Sequence, residues 1–128
     1  MPEVELYVGA TLQLQGTHHK EEKSHLCIIL KSPFDVNRQV LYAPIITFRN
    51  KSDTTCILEV GDHPFIRHKS CVHYDKVQQR AESQLLSRCN NKLQEPLSKE
   101  VLKRVLDGVL DSPNTPPWAK KLLGACQD

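Results

Sequence analysis

Strand patterns fill this chain from Val4 to Tyr74, and clear helix patterns come only afterwards. From Val4 to Leu14 the apolar residues occupy alternate positions (Val4, Leu6, Val8, Ala10, Leu12, Leu14), the period of a strand with one buried face, and Gly9 marks a bend within one long or two short strands. His25 to Leu30 is a nearly unbroken apolar run, as expected of a central strand covered on both faces. Val40 to Ile46 forms a further strand, whose Pro44 implies an edge or a bulge. Thr55 to Val60, closed by Gly61-Asp62, and Ser70 to Tyr74 complete the set. Strands followed by helices favour a β-rich barrel with appended helices over an alternating parallel sheet.

The helical part opens at Asp75, which with Gln78 three residues on has the spacing of a capped turn running to Ala81. Beyond Ser83 the pattern fits strand and helix equally. The plainest helix starts at Pro96-Leu97-Ser98: Ser98 is the cap, Leu97 and Leu102 have staple spacing, and Val101, Leu102, Val105, Leu106, Val109 and Leu110 form one stripe. Ser112-Pro113-Asn114 breaks the chain, and Thr115-Pro116-Pro117 starts a last short helix with Trp118 and Leu122 on one face before Gly124. With 128 residues, one apolar core is the expectation: a single domain over 1–128, with 111–128 as a short helical extension.

A net charge of +2 with 25% charged residues is that of a folded globular domain, so bulk charge alone demands no nucleic-acid partner. Five scattered cysteines without a CxxC pair read as free thiols in a reducing cytosol. The longest apolar run, Leu26 to Leu30, is far below bilayer-spanning length, and no leader pattern opens the chain. No Walker loop, GxGxxG, GxSxG or HExxH occurs, which removes nucleotide-dependent transfer, Rossmann chemistry, serine hydrolysis and the zincins.

Six histidines stand out in a chain of this size. Imidazole takes and gives protons near neutrality, so His18, His19 and His25 are candidates for acid-base work, with solvated loop positions as the plainer reading. His63, His68, Cys71 and His73 offer zinc donors, but their spacings fit no finger or knuckle. No metal or other cofactor is assigned. In Gly61 to Ser70, Phe65 and Ile66 are expected to plug one end of the barrel. Arg67, His68 and Lys69, unexplained by packing, suit a phosphate backbone.

The run His25-Leu26-Cys27-Ile28-Ile29-Leu30, then Pro44-Ile45-Ile46-Thr47, Cys56-Ile57-Leu58, Ser70-Cys71-Val72 and Leu97-Ser98 resembles the MazF/PemK toxins of bacterial toxin-antitoxin modules, from about Leu12 to Leu110. The resemblance implies an SH3-like small barrel, usually a homodimer with an antitoxin partner, that cuts single-stranded RNA without metal by attack of the ribose 2′-OH. It places Thr47 on the family's functional threonine and His18 and His19 in the first loop, where some members keep a histidine. The family's arginine at the start of the second strand falls on His25, and the proline after it on Leu26. Histidine lacks the planar guanidinium fork, so either His25 works as acid or base or the activity is lost. Substrate contacts are then expected from Arg49, His63, Arg67, His68 and Lys69. The alternative expectation is a non-catalytic barrel acting as a protein-binding or regulatory module.

Overall fold

The computed structural model describes residues 5–15, 24–33, 35–89 and 92–124. Six strands form one antiparallel sheet: β1 Thr11–Gln15, β2 Ser24–Lys31, β3 Gln39–Thr47, β4 Ile57–Leu58, β5 Ser70–Val72 and β6 Gln78–Ala81. Three helices follow: α1 Glu82–Arg88, α2 Lys99–Asp111 and α3 Pro117–Gly124. The order across the sheet is β1-β2-β3-β5-β4. β3 is its axis: β2 lines one edge, while β6 at Gln39–Tyr42 and β5 at Ile45–Thr47 share the other, joined by a 3-10 turn at Tyr74–Lys76.

The sheet is open, where the strand pattern led to a closed barrel. Among the described residues no pair joins β1 to β4. β4 is only two residues long, because Glu59 already begins the turn that Asp62 closes by donating its N–H to the Glu59 carbonyl. The outer edge of β1 is taken instead by the segment entering α2, where the Gln94 N–H bonds the Thr11 carbonyl and the Leu97 N–H bonds the Gly9 carbonyl.

Alternation along the strands gives the sheet two apolar faces, and each is covered. On the first, Ile28, Leu41, Leu58, Val72 and Tyr74 meet Val101, Val105 and Val109 of α2 and Ala119 and Leu123 of α3. On the second, Leu12, Cys27, Ile29, Val40 and Tyr42 meet Leu85 and Cys89 from α1 and its end, with Leu6 from the N-terminal segment. This accounts for the continuous apolar run in β2, all of which is buried from Leu26 to Leu30. Ser98 caps α2 as its sequence suggests, its hydroxyl accepting from the Val101 N–H at 3.2 Å. Gly9, at φ +93°, lets the N-terminal segment pass beneath α2, since a Cβ there would lie 2.9 Å from Leu102 Cδ2.

Four sequence expectations are corrected. Asp75 to Ala81 is a single 3-10 turn and then a strand, because the Gln39–Tyr42 edge of β3 otherwise lacks a partner, and a ladder outweighs an isolated helical turn. The fourth strand is Ile57–Leu58 rather than Thr55 to Val60. Only Ile66 of the expected plug is buried; Phe65 is 41% exposed, its ring edge-on to His63. In α3 the buried residues are Ala119 and Leu123, and Trp118 is exposed.

Glu82 ties three parts of the second face together. Its Oε2 accepts from the Leu6 N–H at 2.7 Å and its Oε1 from Arg38 Nε at 2.7 Å, with Arg38 itself in the left-handed region at φ 51°. Burial works to raise the Glu82 pKa, but the bonds from Arg38 and Leu6 outweigh it and hold the carboxyl below its ordinary value. Its stabilising contribution is therefore complete above the unfolded carboxyl pKa of about 4.3 and is lost as pH falls through the lower folded value. Urea midpoints of Glu82→Gln measured across that acid range are expected to vary less with pH than those of the parent. An unchanged dependence would remove Glu82 as a source of acid sensitivity.

Candidate functional site

Strand register decides which of the candidate residues can meet. In the β3–β5 ladder Thr47 lies opposite Ser70, Ile46 opposite Cys71 and Ile45 opposite Val72. The pairing extends in both directions, with the Phe48 N–H donating to the Lys69 carbonyl at 3.0 Å and the His73 N–H donating to the Pro44 carbonyl at 2.9 Å. Alternation then places Pro44, Ile46, Phe48, Lys69, Cys71 and His73 on one face. Across β3, Cys27 lies opposite Pro44, so His25, two residues earlier, belongs to the same face.

This is the second face of the sheet, beyond the stretch covered by α1. His25, Pro44, Ile46 and His73 are half-buried there. Lys69 Nζ stands 4.6 Å over the Phe48 ring centroid, a cation on an aromatic face at the sheet's end. Burial pushes the His73 pKa below its ordinary value, the charges of Lys76 and His25 act in the same direction, and Asp75 and Asp53 oppose them. The Cys27 thiol, opposite Pro44, is pushed up to about 12 by burial, with Arg88 opposing the rise. It stays protonated near neutrality and has no nucleophilic character.

Thr47 and Ser70 alternate onto the opposite face, so Thr47 and His25 are near in register but not on one surface. The single cleft expected to hold imidazoles, Thr47 and cationic groups together is not formed by the described residues. Arg49, Arg67, His68 and Lys69 are exposed around the end of the β3–β5 ladder, and among the described residues none of them enters an ion pair. Arg49, Arg67 and Lys69 make this end of the ladder a cationic rim to which both faces lead.

His63 is corrected from a substrate contact to a buried structural residue, 3% exposed. Its Nδ1 accepts from the Phe65 N–H at 3.1 Å, which leaves Nε2 protonated to donate to the Glu95 carbonyl, beside the Thr11 hydroxyl bonded to that carbonyl at 2.6 Å. With both ring nitrogens used, it locks the Gly61 to Ser70 segment to β1. His18 and His19 lie outside the described residues. Among the described residues no three His, Cys, Asp or Glu side chains stand together as a metal ion requires. Nor is any helix among them long and apolar enough to cross a membrane. Cys27, Cys56, Cys71 and Cys89 are buried and unbridged.

His73, which sequence reasoning weighed as a zinc donor, was not among its expected catalytic or substrate-binding residues. The available signal was that Cys71 and His73 alternate on one face while Pro44 predicts a disturbed edge. The register that brings His25 to that face is not written in either segment alone. Comparison with models of protein families and with curated proteins found no match to this chain.

Proposed function

We propose that this protein binds single-stranded RNA across the second face of its sheet and cuts it without metal, with His73 as general base and His25 as general acid. The supporting observation is the pair of half-buried imidazoles on one face of the sheet, the pKa of one lowered so that it is neutral near pH 7, beside a rim of cationic side chains. Neutral His73 takes the proton of a ribose 2′-OH, and the 2′ oxygen forms a bond to phosphorus. The bond from phosphorus to the 5′ oxygen breaks, and His25, as general acid, gives a proton to that leaving oxygen. The products are a 2′,3′-cyclic phosphate and a free 5′-hydroxyl, and DNA, lacking the 2′-OH, is not cut. Arg49, Arg67 and Lys69 hold the backbone, and Phe48 offers an aromatic face to a base.

The architecture that goes with this reading is a small SH3-like barrel of MazF/PemK type left incompletely closed. Its support is the sheet order, in which one long strand carries β2 on one edge and β5, the 3-10 turn and β6 end to end on the other. A second reading, a non-catalytic barrel that holds a partner without cutting it, is favoured by the position of Thr47 on the face opposite His25.

Labelled single-stranded RNA incubated with the protein in the presence of a chelator separates the readings. Cyclic-phosphate-ended fragments are expected; intact RNA under all conditions rejects the nuclease. Binding to an all-2′-deoxy strand of the same sequence, which cannot be cut, tests the rim. The slope of log affinity against log salt is expected to shrink by roughly 0.7 for each phosphate contact removed, hence by about 1.4 in the double variant Arg67→Ala/Lys69→Ala. An unchanged slope excludes these two residues from the backbone contact.

A further inference from the structure

We infer that the depression between β6 and the side of α1 is a phosphate subsite for the RNA strand whose scission is proposed above; in that respect it rests on that reading. The depression has a volume of ≈ 500 Å³ and is lined by Arg80, Ser83, Gln84, Leu85, Ser87 and Arg88. Ser83 with Ser87, and Gln84 with Arg88, are spaced four residues apart on one flank of the helix. Arg80 lies opposite Val40 in the β3–β6 ladder, which puts it on the sheet face that α1 covers. Two guanidinium groups, two hydroxyls and an amide thus surround one hollow floored by buried Leu85.

The chemistry of that lining selects an anion with several acceptor oxygens. Guanidinium forks and hydroxyl donors match a phosphate group, and no carboxylate is among the lining residues to repel it. The neighbouring acid, Glu82, is turned toward Leu6 and Arg38. The hollow lies further along the same strand from the imidazole pair: Arg80 is opposite Val40, four residues from Pro44, whose carbonyl accepts from the His73 N–H. Along β3 from Pro44 to Val40 the distance is about 13 Å at strand rise. An RNA strand with its scissile phosphate between His25 and His73 therefore runs toward Arg80 and Arg88, where a further phosphate of the same strand is held.

Affinity for a labelled all-2′-deoxy oligonucleotide and amide-shift titration with inorganic pyrophosphate together test the subsite in the intact 128-residue chain. Arg80 is exposed on β6, so Arg80→Ala leaves the cores intact, and Ser87→Asp places a like charge at the hollow. Each is expected to weaken oligonucleotide binding about tenfold, as loss of a charge-assisted hydrogen bond does, with part of the loss restored by Arg80→Lys. Pyrophosphate is expected to move the amide resonances of Ser83 and Ser87. Wild-type affinity in both variants, their folds verified by circular dichroism, overturns the RNA subsite. Should the parent bind no nucleic acid, the functional reading fails by itself. Shifts at Ser83 and Ser87 then keep the hollow as a site for small phosphate compounds, and their absence overturns it altogether.

Discussion

His73→Ala is expected to lower RNA scission by about 10²- to 10⁴-fold while leaving affinity for uncut 2′-deoxy strands nearly unchanged. The position of the ring explains the size of the effect. Its backbone is fixed by the bond from its N–H to the Pro44 carbonyl, and its side chain shares a sheet face with His25. Loss of the imidazole removes the proton acceptor without disturbing the ladder. His25→Ala is expected to cost a similar factor, and the double variant less than the product of the two, because acid and base act in one step. The acid side of the pH-rate profile should fall below the ordinary histidine value of 6.5, since burial favours the neutral form of His73. A His73→Ala protein that cuts at the parental rate would dismiss this pair as the catalytic groups.

Gly108→Ala is expected to destabilise the fold by about 3 kcal/mol, although the same change in an exposed helix interior stabilises by about 1 kcal/mol. Gly108 is buried in the last turn of α2, against Tyr74. A Cβ there would collide with the Tyr74 hydroxyl and sit 2.8 Å from the ring carbon that bears it. Tyr74 has nowhere to retreat: it is fully buried, and its hydroxyl donates to the Val105 carbonyl at 2.8 Å. Overpacking of this kind costs about 1–3 kcal/mol, and leaving the hydroxyl unpaired costs about as much again. Urea midpoints give the difference, and Tyr74→Phe supplies the check. In the Gly108→Ala background the phenylalanine should recover part of the loss, whereas additive effects would place the strain elsewhere.

The sequence reading found the strands whose buried faces follow from local alternation, and α2, whose cap and stripe lie within one segment. It failed where a distant partner decides. Asp75 to Ala81 has the local signature of a helix start, yet β3 needs an edge partner, and that need is invisible within those seven residues. His63 resembled a loop ligand because nothing near it announces the Glu95 carbonyl, 32 residues away, that engages its ring. Thr47 and His25 were grouped by resemblance, and a single step of strand parity turns them to opposite faces. Arg80 and Arg88 went unnoticed because Arg80 lay in the expected helical turn and the chain beyond Ser83 fitted strand and helix equally, so no hollow between them was foreseeable.

β3 contributes to the cores on both sides of the sheet, with Leu41 and Ala43 in one and Val40 and Tyr42 in the other. Neither half of the chain can therefore be excised as a working miniature. A fragment ending before Ser70 would leave 39–42 and 45–47 without hydrogen-bonding neighbours on one edge and would expose a sticky border to other copies. Two separately expressed pieces should accordingly be insoluble alone and recover a native spectrum only when mixed, which makes the protein a natural candidate for split-reporter design.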